Sequence, residues 1–168
     1  KPGDPIFARA EFRMIATPFE ALMAAKAASE AAGVPAHVLS DGIEGEAREV
    51  AKVLGAIARS VAERSAPFLP PVVLLSGGET TVTVRGSVRG GRNAEFLLAL
   101  GIELDGLRGV HAVACDTDGI DGSEDNAGAY AAPGLIEAAS RAGVDARASL
   151  DDNEGYGVFE AVGGLIVT

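Results

Sequence analysis

Arg85, Arg89 and Arg92 stand within one eight-residue stretch, with Gly86, Gly90 and Gly91 among them and no acid interrupting. Arginine grips carboxylate or phosphate with two parallel hydrogen bonds. Glycine lets backbone N–H groups approach an anion closely. The stretch runs into a predicted helix N-terminus, which also favours negative charge. Together these residues could bind an anionic group such as a phosphoryl group. The plainer alternative is a surface hairpin with solvated arginines.

A second loop, Asp116-Thr117-Asp118-Gly119-Ile120-Asp121-Gly122, has the opposite sign. It follows a predicted strand, where open α/β sheets place ligands. Closely spaced carboxylates suit Mg²⁺, which takes a few acidic oxygens, waters and substrate phosphates. An EF-hand is excluded, because counting from Asp116 puts Ile120 and Ala127 at ligand positions. The alternative is a turn whose Asp side chains cap backbone N–H groups. A third stretch, Ser76-Gly77-Gly78-Glu79-Thr80-Thr81, places a Gly-Gly pair beside an acid and hydroxyls. It reads as a small-ligand contact or a plain hairpin turn. A basic glycine loop and an acidic loop are the two halves that phosphoryl transfer needs.

Other chemistries lack their residues. No G-x-x-x-x-G-K-[ST], G-x-G-x-x-G or G-x-S-x-G occurs, so P-loop, dinucleotide-turn and nucleophile-elbow chemistry have no support. His37 and His111 lie in apolar strand settings and read as structural. Cys115 precedes Asp116, whose charge disfavours a thiolate.

Composition narrows the field further. Lys and Arg number 14 against 24 Asp and Glu, for a net charge of −10, so a nucleic-acid partner is not expected. There is no Trp, with only two Tyr and six Phe, so an aromatic base-stacking platform is not expected either. One Cys excludes an internal disulfide, and one Cys with two His is too few for a Cys/His zinc site. No apolar run reaches the length of a membrane span and no leader opens the chain, so the expectation is a cytoplasmic protein without a membrane partner. The 168 residues, 48% hydrophobic, suffice for one ordinary domain or two small ones. The chain starts at Lys1 and stops in an apolar strand, 165–168, so it reads as part of something longer.

Positioning these loops requires a scaffold, and the pattern predicts layered α/β structure. Residues 12–16 read as a short strand. Thr17, Pro18 and Glu20 form a helix start with a capping box, and Gly33 stops that helix. Residues 34–40 read as a strand. Residues 44–61 read as a helix whose apolar face is Val50, Val53, Leu54, Ile57, Ala58 and Val61. The proline-rich stretch 66–71 reads as a linker. Strands 72–75 and 81–85 are expected to form an antiparallel hairpin around Gly77-Gly78. A helix over 93–104 capped by Asn93, a strand over 110–115, helices near 133–142 and 155–162, and a last strand complete the pattern.

The motifs Gly77-Gly78-Glu79-Thr80-Thr81-Val82, Gly90-Gly91-Arg92-Asn93-Ala94-Glu95 and Thr117-Asp118-Gly119-Ile120-Asp121-Gly122, with Ala127-Gly128-Ala129 after them, resemble the C-terminal MOFRL domain of glycerate 2-kinases. Order and spacing of all three match. Upstream, Glu44-Gly45-Glu46-Ala47-Arg48-Glu49-Val50 resembles the end of that family's first domain.

The resemblance implies an α/β fold: a layered mixed β-sheet with flanking helices, residues 1–71 closing a Rossmann-like N-terminal domain and 72–168 forming the MOFRL-like domain. It implies transfer of phosphate from ATP to the 2-hydroxyl of D-glycerate with a divalent metal, taken as Mg²⁺. It implies a missing N-terminal domain that supplies a lysine, and a downstream Gly-Pro-Thr and Asn-Val-Asn-Asp motif, so the fragment alone is expected to be inactive. Carried over, Arg92 is the charge-stabilising residue, and Asp118 a catalytic carboxylate. Asp118 and Asp121 are the metal ligands. Gly77, Gly78, Glu79, Thr80, Gly90, Gly91, Asn93, Thr117 and Gly119 line the substrate or nucleotide cleft. Asp116 matches less securely, and no general base is assigned. Family members are also labelled hydroxypyruvate reductases, so a nicotinamide-dependent reductase is one alternative. A non-catalytic small-acid-binding module is the other. A homodimer is an open expectation. A shared site requires the Gly90–Asn93 and Thr117–Gly122 loops to lie within about 10 Å of each other.

Overall fold

The computed structural model describes residues 4, 5, 11, 13–86 and 89–168. Phe12, Ser87 and Val88 lie outside them, and residues 13–16 form no strand.

The first regular element is α1, Pro18–Ala31. Its start is the expected capping box: the Thr17 hydroxyl accepts the Glu20 amide at 3.2 Å, and the Glu20 carboxylate accepts the Thr17 amide at 2.7 Å. Gly33, at φ +84°, turns the chain into β1, Ala36–Glu46. β1 runs six residues beyond the predicted strand end, because its second half is still paired.

The partner is β2, Val73–Thr81, aligned parallel from Ala36 opposite Val73 to Glu46 opposite Thr81. The connecting helix α2, Ala47–Arg64, makes a β-α-β unit, as parallel pairing requires. The Gly77-Gly78 hairpin is therefore not formed. Residues 73–81 are one strand, and residues 82–85 are irregular. At Gly78 the backbone has φ +151°, and a Cβ would fall on the Ile43 carbonyl, beside the register shift in β1. The glycine permits close strand approach.

α2 buries the predicted face in part, Val61 fully and Val50, Leu54, Ile57 and Ala58 by half, and adds a stripe of small residues. Ala47, Ala51, Gly55 and Val61 face inward, whereas Val53 is 61% exposed. Small residues win because α2 packs closely on α3, Arg92–Glu103. A Cβ at Gly55 would stand 3.1 Å from Glu103 Cβ and 3.3 Å from Leu100 Cδ1.

The second sheet is antiparallel. Its order is β3 (Ala112–Cys115), β4 (Gly128–Ala131), β5 (Leu165–Ile166). Between β4 and β5 lie α4 (Leu135–Arg141), α5 (Ala146–Asp151) and α6 (Gly155–Val162). α5 and β4 are additional to the predicted elements. The α/β class with sheets flanked by helices is as expected; parallel and antiparallel pairings occupy separate sheets.

The core gathers on α3. Leu97 and Leu98 are fully buried with Val158 and Phe159 of α6, and Ala129, Leu135 and Ala139 pack around them. Each large side chain removed from water contributes roughly 1.5–3 kcal/mol. α3 is thus the best-anchored helix, and its N-terminus carries Arg92. His37, exposed on β1, stacks on Phe68 of the proline-rich stretch at 4.4 Å, and His111, exposed just before β3 rather than within an apolar strand, stacks on Tyr130 at 5.9 Å. Among the described residues, no helix is long and apolar enough to cross a membrane.

Candidate functional site

The glycine–arginine loop and the acidic loop meet at the N-terminus of α3. Asp121 is fully buried there. One of its carboxylate oxygens accepts the Asn93 amide at 3.0 Å and the Asn93 side chain at 3.2 Å; the other accepts the Ala94 amide at 2.9 Å. These are amides that a helix start leaves without intrahelical partners. The cap comes from a residue distant in sequence, and Asn93 lies inside the helix rather than capping it. The negative charge also complements the helix dipole. Burial pushes the Asp121 carboxyl above the usual range, while the Asn93 and Ala94 amides pull it down.

Glycines make this approach feasible. A Cβ on Gly91 would run into Asp121, and one on Gly122 would run into Gly90 and Gly91. Gly90 stands against Tyr156, whose amide donates to the Arg89 carbonyl at 3.0 Å. Gly90 and Gly91 thus serve loop-on-loop packing.

Arg92 projects from the same helix start and is partly exposed. Its Nη2 donates to Asp116 Oδ1 at 2.7 Å, and its Nη1 donates to Glu79 Oε1. Asp116 is held a second time, as its Oδ2 accepts the Asn93 side chain at 3.1 Å. The bond to Asp116 is the main reason the Arg92 guanidinium is held above its ordinary value. The guanidinium therefore stays charged and is aimed by two carboxylates from different elements.

Of the predicted site residues, the structure brings together Glu79, Gly90, Gly91, Arg92, Asn93 and Asp121, and adds Asp116. Asp118 is exposed at the turn, and its Oδ1 accepts the Ile120 amide at 3.1 Å. Thr117 is exposed beside it, and a Cβ on Gly119 would stand 3.0 Å from the Thr168 hydroxyl. Gly77 and Gly78 do not join the group. Their nearest neighbours are Leu22 of α1 and Asp41 and Ile43 of β1. Thr80 is half-buried and pairs in register with Gly45.

A Mg²⁺ site built from Asp118 and Asp121 does not fit this geometry. Both Asp121 oxygens already accept N–H groups, and the side chain is sealed from solvent. Among the described residues, no three His, Cys, Asp or Glu side chains are grouped to hold a metal ion.

Behind the site lies a buried polar network with no sequence counterpart in the expectations. Arg48 donates to Glu95 Oε1 through Nε at 2.8 Å and again through Nη2, and also to the Leu150 carbonyl at 2.9 Å. Asn153, in the left-handed conformation, accepts the Arg85 amide at 2.7 Å and donates to Glu95 at 3.3 Å. Burial pushes the Glu95 carboxyl up, and Arg48 pulls against it. The network ties α2, α3 and the turn after α5 to the segment that leads into the arginine loop. In the sequence Arg48 sits among the charged residues Glu44, Glu46 and Glu49 and Glu95 ends the Gly90–Glu95 motif, so neither position marks a buried ion pair.

Arg89 lies on the far side of the loop. It stands over the Tyr156 ring, 4.6 Å from its centre, and within 3.5 Å of Glu124.

Residues 72–168 match the family described as MOFRL. A protein from Agrobacterium vitis provisionally named hydroxypyruvate reductase is 48% identical over 160 residues, covering 94% of this chain and 36% of its own length. The glycerate 2-kinase of Pyrococcus horikoshii is 38% identical over 137 residues, covering 81% of this chain and 31% of its own length. The crystal structure of a glycerate kinase from Thermotoga maritima superposes with a TM-score of 0.89 at 31% identity, covering 94% of this chain and 38% of that one. The chain spans about a third of the length of these relatives.

Proposed function

Because the chain belongs to the MOFRL family, we propose that it is the C-terminal part of a glycerate 2-kinase, transferring phosphate from ATP to the 2-hydroxyl of D-glycerate. One observation carries the reading. A charged, partly exposed Arg92 sits on the best-anchored helix, aimed by Asp116 and Glu79, beside the acidic turn that holds Asp118. A preorganised guanidinium facing developing charge is the arrangement that phosphoryl transfer rewards, since its chemistry consists mainly of positioning and charge stabilisation. Arg92 would stabilise the transferring group. Asn93, Thr117 and Asp118 would line the cleft. Asp121 would hold the helix start rather than a metal.

In this reading residues 1–71 close the preceding domain and 72–168 form the MOFRL domain, the rest of the cleft belonging to the remainder of a cytoplasmic enzyme. The reductase alternative follows from the name of the Agrobacterium vitis relative.

The test is an assay of the full-length protein that carries this chain. D-glycerate with ATP should give ADP and 2-phosphoglycerate, identified by its product isomer. Hydroxypyruvate with NADH should give no oxidation. NADH consumption without ADP release would replace the kinase with the reductase. Binding of glycerate without either reaction would leave the small-acid-binding module.

A further inference from the structure

We propose that Glu79 is an internal stand-in for the anion that Arg92 binds: its carboxylate holds the guanidinium in place and yields that position when a phosphate group arrives. The inference rests on the anion-binding role of Arg92 proposed above.

The two acids on Arg92 are not equivalent. The Asp116 side chain is 18% exposed and anchored twice, to Arg92 and to Asn93. The Glu79 side chain is 69% exposed, and its bond is to Arg92 alone among the described contacts. Asp116 springs from the turn that follows β3, whose backbone is pinned by the Asp116 amide donating to Ala127. Glu79 reaches across from β2, in another sheet.

An exposed carboxylate–arginine pair gains little net free energy, because water and salt screen it and a long side chain must be ordered. A phosphate carries more charge and can take two guanidinium N–H groups at once. It therefore displaces Glu79 while Asp116 keeps the guanidinium aimed. A carboxylate among cleft residues is otherwise hard to reconcile with anionic ligands, since like charges repel. The cost of displacing Glu79 is subtracted from ligand affinity, so Glu79 lowers affinity while keeping Arg92 ordered.

The test uses the full-length protein and inorganic phosphate as probe, with the dissociation constant from a phosphorus NMR titration. Glu79→Gln should bind phosphate about two- to fivefold more tightly, the range set by one exposed ion pair. The gain should shrink in an Arg92→Ala background, because the competition then has no object. An unchanged or weaker affinity in Glu79→Gln, with Arg92→Ala clearly weakened, would overturn the stand-in and leave Arg92 as the anion site. An equal gain in both backgrounds would show general charge repulsion and also overturn it. An Arg92→Ala variant that binds phosphate as well as wild type would remove the proposed role of Arg92 itself.

Discussion

The Asp121 carboxylate takes both the backbone and the side-chain N–H groups of Asn93, 28 residues earlier in the chain. Through that contact the acidic loop fixes where α3 begins, and so where Arg92 leaves the helix.

Removing the cap should destabilise the chain. Asp121→Ala leaves the Asn93 and Ala94 amides without an acceptor in a buried place. Loss of a cap costs about 0.5–2 kcal/mol, and orphaned buried donors add about 1–3 kcal/mol. Urea unfolding should show a total loss of about 2–4 kcal/mol. A midpoint equal to wild type would mean that the loop is not a structural cap.

The same burial sets a pH dependence. Asp121 and Glu95 are both raised above the ordinary carboxylate value, mainly by desolvation. An acid with a raised folded pKa binds its proton more tightly folded than unfolded. Its contribution is fully present below the unfolded value and declines as pH rises through the folded one. The stability of wild type relative to Asp121→Asn should therefore fall as pH increases across that window. Denaturant titrations at a series of pH values would show it; a difference that rises with pH would reverse the sign.

Arg48 and Glu95 form an ion pair closed in by α2, α3 and the Leu150 carbonyl. Arg48→Ala leaves a buried carboxylate without its cation, which costs about 3–5 kcal/mol. Adding Glu95→Gln to Arg48→Ala should restore part of the loss, because the second change removes the stranded charge. Calorimetric melting of the single and double variants measures both; a single variant as stable as wild type would mean that the pair is solvated.

Arg92→Ala in the full-length enzyme should lower kcat about 10²–10³-fold with a smaller change in KM for glycerate, as for loss of one preorganised charge donor. Arg92→Lys should recover only part, since a point charge cannot make the two-pronged contact. Steady-state kinetics on variants with wild-type circular dichroism would decide, and comparable turnover would return Arg92 to the solvated surface.

The sequence was legible where local chemistry decides. Thr17 and Glu20 cap α1 because the capping box needs no distant partner. The meeting of the Gly90–Asn93 and Thr117–Gly122 loops was also within reach, since the first leads into α3 and the second follows β3, both legible as a helix and a strand. Tertiary approach defeated the rest. Gly77-Gly78 has the composition of a turn, but Gly78 is required by the Ile43 carbonyl of a neighbouring strand. Arg48 and Glu95 look like ordinary helix surface until α2 and α3 close over them. Asp121 has the spacing of a ligand, yet the helix it caps lies far upstream.

The pairing of β1 with β2 crosses the boundary at which the family match begins, residue 72. A piece cut there would start one residue before β2 and strip it of all of β1. Its backbone N–H and C=O groups along that side would face water as an open edge, with Glu79 still on it. Open edges recruit other strands. The same cut removes α2, with the core residue Ala51, from the face of α3 at Leu100, so a 72–168 fragment should self-associate in light scattering more readily than one that begins at residue 13.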